Sequence, residues 1–209
     1  MTRPADAPSS DADTDRVVRV LLADEDRQAL EAAAPMLDEL GYEVLCRAVS
    51  LAEVSDAIRE DDPDIALVVL HEDVEHALDL IEEIVDTADC PVVSLLEVEA
   101  EEFVKEAAKK GVYGYIRPLT VETLTGTIEV ALRRHAEARS LAETVEQLKG
   151  AIQRRAIIER AKGILMERHG QSEREAFELL REEARRSRRR VVELAQHVVD
   201  GHALLRRRD

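Results

Sequence analysis

Three short runs of this chain, VVRVLLA at 17–23, DIALVVL at 64–70 and PVVSLLE at 91–97, are apolar at nearly every position. A strand with one wet face alternates apolar and polar residues. A continuous apolar run therefore asks to be covered on both faces, as interior strands of a parallel sheet are. The segments between and after these runs carry helical spacing: DRQALEAAAPMLDELG, SLAEVSDAIREDDP, VEHALDLIEEIVDTA, EAEEFVKEAAKKG and TVETLTGTIEVALRRH. Gly41 and Gly111 stand where two of these helices should stop, and Ser50 with Glu53 three residues on forms a capping pattern. With two weaker strands, YEVLCRAV and VYGYIRPL, the order is (βα)5. The expectation for residues 16–130 is an α/β domain, doubly wound around a parallel sheet.

After Ala131 no strand pattern returns. Residues 131–152 are expected to form a linker helix in which Leu141, Val145, Leu148 and Ile152 recur at alternating steps of four and three, the spacing of a coiled-coil seam. A homodimeric coil is the expected use, against an amphipathic helix packed on its own domain. SEREAFELLREEARRS then opens on Ser172 with Glu175 three residues later, a second capping box, and VVELAQHVVDGHALL makes a last helix. The result is an all-α three-helix module.

Charge separates the two parts. Residues 151–209 hold 15 Lys plus Arg against 10 Asp plus Glu, whereas the preceding 150 hold 14 against 35, which leaves the whole chain at −16. A basic module thus sits on an acidic protein, the pattern of an anionic partner for the C-terminal part. Acidity of this size also suits a salty cytoplasm, where self-repulsion is screened. Aromatic residues are 2 % of the chain with no Trp, which argues against an aromatic-lined ligand pocket. There is no Gly-rich phosphate loop, no nucleophile beside a base and no His cluster, so no enzyme is expected. Cys46 and Cys90 stand apart without metal or disulfide spacing, as in a reducing cytoplasm. No apolar run approaches 18 residues and no leader pattern opens the chain, so neither a membrane span nor a signal peptide is expected. Residues 1–15 read as a disordered acidic tail, and the terminal RRRD as frayed.

The (βα)5 region resembles the receiver domain of two-component response regulators. In that family an acidic pair after the first strand binds Mg²⁺, an Asp at the end of the third strand accepts phosphate, a Thr or Ser ends the fourth, and a Lys before Pro ends the fifth. Here the acidic pair survives as Asp24 and Glu25, but Val69 takes the acceptor position, Leu96 that of the Thr, and Arg117 before Pro118 that of the Lys. An alkyl side chain cannot form an acyl phosphate. The resemblance therefore implies a pseudo-receiver with no phosphorylation, no cofactor beyond residual Mg²⁺ at Asp24 and Glu25, and a sensor or inhibitor protein as its partner.

Residues 148–205 resemble the ANTAR domain, the RNA-binding module of transcription antiterminators. The motif is carried by Arg155 and Ile158, by Ala161-Lys162-Gly163-Ile164-Leu165-Met166, by Ser172 through Ala184, by the basic run Arg185–Arg190 and by Val191–Val199. The order pseudo-receiver, coil, ANTAR is similar to that of antiterminators whose receivers also lack the phosphorylation set. The resemblance implies modules that bind paired RNA hairpins in leader transcripts, and with the seam a cytoplasmic homodimer is expected. The alternative is a receiver-like signalling or interaction protein whose helical tail only dimerises or docks a partner. Continuing the seam by threes and fours places Arg155 and Lys162 on one outer face, with Gly163 opening space for a close backbone approach. Arg155 and Lys162 are the expected loop contacts, and Arg185, Arg186, Arg188, Arg189 and Arg190 the expected phosphate contacts. Ile158, Ala161, Ile164 and Leu165 should pack on Phe177, Leu180, Ala184, Leu194 and Val198; Phe177, a lone aromatic on an apolar face, is expected in the core rather than stacked on a base.

Overall fold

The structure, a computed structural model, describes residues 16–205 except Glu25, Val49, His71, Glu72 and residues 97–100. The acidic tail 1–15, the second residue of the acidic pair and the terminal RRRD lie outside the described residues. The elements are β1 Arg19–Ala23, α1 Arg27–Glu39, β2 Glu43–Ala48, α2 Leu51–Asp61, β3 Ile65–Leu70, α3 Val74–Thr87, β4 Val92–Leu96, α4 Glu101–Lys109, β5 Gly114–Ile116, α5 Val121–His169, α6 Glu173–Ser187 and α7 Val191–Leu205. The strands form one five-stranded sheet of order β2-β1-β3-β4-β5. Every pairing in it is parallel.

The alternation of the apolar strands sorts the helices onto two faces. In β3, Ile65, Leu67 and Val69 pack with Leu30 and Leu37 of α1 and with Leu124 and Ile128 of α5. The intervening Ala66, Val68 and Leu70 pack with Val54 of α2, Ile81 and Ile84 of α3, and Phe103 of α4. All six β3 residues are buried, so the continuous apolar run is used on both sides. This is the doubly wound arrangement expected. Gly41 and Gly111 follow α1 and α4 at φ +85° and +97°, a left-handed conformation that glycine adopts without Cβ strain. Ser50 caps α2 by accepting the Glu53 N–H, and Asp73 caps α3 by accepting the His76 N–H at 2.9 Å. Cys90 is buried, which pushes its thiol up to about 12 and removes thiolate reactivity at neutral pH.

The fifth crossover helix and the expected linker helix are a single element, α5, of 49 residues. The chain divides into two compact units, residues 1–138 and 139–209. In the second, Ala161 and Leu165 of α5, Ala176 and Leu180 of α6 and Ala195 of α7 form a small aliphatic core. Ile157, Ile158, Leu194 and Val198 pack around it. No described helix is long and apolar enough to cross a membrane.

Candidate nucleic-acid interface

Two helices of the second unit are joined at Lys162. Its side chain is only 9 % exposed, and Nζ donates to both oxygens of Glu159, at 2.9 and 2.7 Å, and to Glu173 Oε1 at 2.6 Å. Glu159 lies one turn back on α5, whereas Glu173 is the first residue of α6. The expectation of an outward-facing Lys162 is therefore corrected. The turn between the helices folds α6 back over that face, and its first carboxylate captures the ammonium. Gly163, next in sequence, is exposed, and a Cβ built there would meet nothing within 4 Å. Arg155 is exposed and makes no ion pair among the described residues.

Phe177 is also displaced from its expected place. The residue is 36 % exposed and lies outside the aliphatic core. The buried residues of α6 are Ala176, Leu180 and Ala184, spaced by four, so Phe177 sits about 100° round the helix from that stripe. Lys162 Nζ and Arg181 Cζ each lie 5.9 Å from its ring centroid, within cation–π range.

The basic run is not uniform. Arg186 pairs with Glu183 at 2.6 Å and Arg190 with Glu193 at 2.6 Å. Arg185, Arg188 and Arg189 are exposed and make no ion pair among the described residues. Arg188 is the C-cap of α6 in the left-handed conformation, φ 55° and ψ 36°, where Gly is the low-cost residue. A side chain is thus held at a position whose backbone geometry favours glycine, at a helix end whose dipole favours a cation. On the seam, Leu141, Leu148 and Ile152 are 66, 59 and 69 % exposed and Val145 is 39 % exposed. These are large aliphatic side chains left in water within one chain.

At the C-terminal edge of the sheet the surroundings are alkyl. Val69 is 6 % and Leu96 8 % exposed, on adjacent strands. Asp24 is fully buried, and its Oδ1 accepts the Asp26 N–H at 2.9 Å. Among the described residues no group of three or more His, Cys, Asp or Glu is placed to hold a metal ion. Glu25, the other candidate Mg²⁺ ligand, lies outside the described residues, and Val69 supplies no carboxylate to this edge of the sheet.

Residues 146–199 match the family model described as the ANTAR domain. This segment is an ANTAR domain. Over 194 residues the chain is 28 % identical to the transcriptional regulatory protein PdtaR of Mycobacterium tuberculosis (strain ATCC 25618 / H37Rv), covering 92 % of this chain and 95 % of that one. It is 32 % identical over 109 residues to the aliphatic amidase regulator of Pseudomonas aeruginosa, 52 % of this chain and 56 % of that one. Both are named as regulators, in agreement with the expectation of a regulator rather than an enzyme. The N-terminal fold is similar to the crystal structure of the signal receiver domain of a modulated diguanylate cyclase from Desulfovibrio desulfuricans G20. The TM-score is 0.52 at 22 % identity, over 59 % of this chain and 99 % of that one. The N-terminal fold is receiver-like.

The ANTAR domain carries its own acid sensitivity. Glu175 accepts the Ser172 hydroxyl at 2.7 Å and the Ser172 backbone N–H at 2.8 Å, which holds its carboxyl below the usual range. The hydrogen bond from Lys162 does the same for Glu173, and that from Arg190 for Glu193. Depressed folded-state values mean stability that is present above the unfolded carboxylate pKa of about 4.3 and lost as pH falls through the lower folded values. Lys162 is shifted the other way, upward, by its hydrogen bonds to Glu159 and Glu173. Its contribution persists at all lower pH until those carboxylates protonate, and is lost only as pH rises through its folded value. Thermal melts by circular dichroism should show the helical transition weakening below pH of about 4, and Glu175→Gln, which keeps the capping oxygen without the titration, should flatten part of that fall. A Glu175→Gln profile identical to wild type would contradict it.

Sequence reasoning missed Glu159 and Glu173 as partners of Lys162, and Arg181 beside Phe177. The last was within reach, because the four-residue repeat Ala176, Leu180, Ala184 already assigns Phe177 to a different angle.

Proposed function

We propose that this chain is a cytoplasmic, homodimeric, RNA-binding regulator of transcription antitermination. Two ANTAR domains hold paired hairpins of a leader transcript so that a terminator cannot form. The observation that carries the proposal is the cluster of unpaired Arg185, Arg188 and Arg189 at one helix junction of an ANTAR domain, on a chain of net charge −16. Most of such a chain repels a polyanion, so binding must be confined to where cations are free. Exposed Arg155 and Gly163 on α5 add to these contacts, while paired Arg186 and Arg190 contribute less, and Lys162 acts by fixing α6 against α5. The names of the two relatives, regulators both, support the reading. The exposed Leu141, Val145, Leu148 and Ile152 support the dimer, since a second copy of the same stripe would cover them.

The receiver-like domain acts here as a pseudo-receiver. Val69 supplies no carboxylate for an acyl phosphate, and Leu96 no hydroxyl for a phosphoryl oxygen. Its signal is a sensor or inhibitor protein. In reconstituted transcription on a leader with two adjacent hairpins overlapping a terminator, the protein should raise read-through, with acetyl phosphate making no difference. Unchanged termination in the presence of bound protein would contradict antitermination. Gly163→Ala should separate stability from function. It removes the helix-interior glycine penalty of about 0.5 to 1 kcal/mol, raising the urea midpoint, while adding a methyl to the docking face and lowering RNA affinity. Lowered stability, or unchanged affinity, would remove Gly163 from the interface.

A further inference from the structure

Phe177 is the only Phe, Tyr or Trp of residues 139–209, and it is spent on the surface rather than in a core that lacks any aromatic. The groups around it are already matched. Lys162 is shared by Glu159 and Glu173, and Arg181 binds Glu178 at 3.0 Å, so three carboxylates surround the two cations at the ring. A phosphate brought here meets net negative charge. A neutral, flat, polarisable group meets an exposed aromatic ring with an ammonium and a guanidinium each 5.9 Å from its centroid. Further along the same helix the character changes. Arg181, Arg185 and Arg188 follow Phe177 at steps of four, four and three, on one side of α6, and the latter two are the unpaired ones. From Phe177 to Arg185 is about 12 Å along the axis at 1.5 Å per residue.

We infer that the exposed face of Phe177 is the stacking platform for one unpaired nucleobase of an RNA loop, with the Arg185 and Arg188 end of the same stripe taking the backbone phosphates that follow. The inference rests on the RNA-binding reading above and divides its labour. Base faces stack on aromatic rings without regard to ionic strength, whereas phosphate contacts release counterions. An RNA loop offers unstacked bases for such a ring; a duplex does not. Arg181, 5.9 Å from the ring centroid and paired with Glu178 at 3.0 Å, supplies further guanidinium donors beside the stacked base.

The test uses the full-length protein and an RNA of two adjacent short hairpins with 2-aminopurine in place of one loop purine, titrated across a salt series. Wild type should bind and quench the 2-aminopurine by stacking. Phe177→Leu keeps apolar bulk without a ring. It should weaken binding by roughly 10-fold or more and abolish quenching, at an unchanged log–log salt slope. Phe177→Trp should restore both. Phe177→Leu that binds within twofold of wild type and still quenches, or Phe177→Trp that binds as weakly as Phe177→Leu, overturns the platform and leaves the RNA reading standing. Wild type that binds no RNA overturns both.

Discussion

Replacing Arg185, Arg188 and Arg189 together by Gln lowers affinity for hairpin RNA by roughly two to three orders of magnitude near 0.1 M salt, and reduces the log–log salt slope by about 0.7 to 0.9 for each phosphate no longer neutralised. The size follows from their lack of ion-pair partners. A guanidinium already neutralised by a carboxylate must give up that pair to bind phosphate, while these three do not. Arg186 and Arg190, tied to Glu183 and Glu193, should therefore cost less when changed, although all five belong to one run. Arg188 adds an internal control. Its left-handed conformation costs a non-glycine residue roughly 1 kcal/mol or more, so Arg188→Gly should raise the melting temperature while weakening RNA binding and flattening its salt dependence. A triple variant with the wild-type salt slope would place the phosphates elsewhere.

The second large effect belongs to the seam. Leu148→Asp with Ile152→Asp introduces charge where a second copy is proposed to bury aliphatic surface. Four such side chains per dimer, at about 1.5 kcal/mol or more each, make on the order of 6 kcal/mol, a dissociation constant weaker by at least about four decades. Within one chain these positions are 59 and 69 % exposed, so helical content and the aliphatic core of the ANTAR domain should survive. Sedimentation should report a monomer. Binding to a double hairpin should fall by roughly 10² to 10⁴ as the two sites cease to be linked, while binding to a single hairpin stays as it was. A variant that sediments as wild type would assign the seam to packing on its own chain.

The layout of the fold is legible in the sequence because its strongest signals are local. The runs IALVVL and VVSLL can be buried only on two faces, and Gly41 and Gly111 stop helices that would otherwise continue. Where helices end is harder to read. Nothing between His135 and Leu141 breaks a helix, so two expected helices merge into α5. The candidate site is legible in its family motif and less so in its geometry. Counting threes and fours along α5 treats the helix as if alone. Lys162 is buried by Glu173, a residue that reaches it only after the chain has turned, and no periodicity within α5 contains that information. Phe177 departs from expectation for another reason. Residue type suggests core, whereas the angular position relative to Ala176 and Leu180 decides it. Which arginines are free also depends on carboxylates three residues away in either direction, as the Glu183–Arg186 and Arg190–Glu193 pairs illustrate.

What the ANTAR domains bind is decided most directly by titration. The full-length protein is titrated against an RNA with two adjacent short hairpins, an RNA with one, and a duplex DNA of equal length, each across a salt series. Tightest binding to the double hairpin, with a salt slope that shrinks when Arg185, Arg188 and Arg189 are replaced, is the expected result. Equal affinity for all three nucleic acids, or none for any, would contradict a dimeric reader of RNA hairpins and leave the helical unit as a protein-docking element.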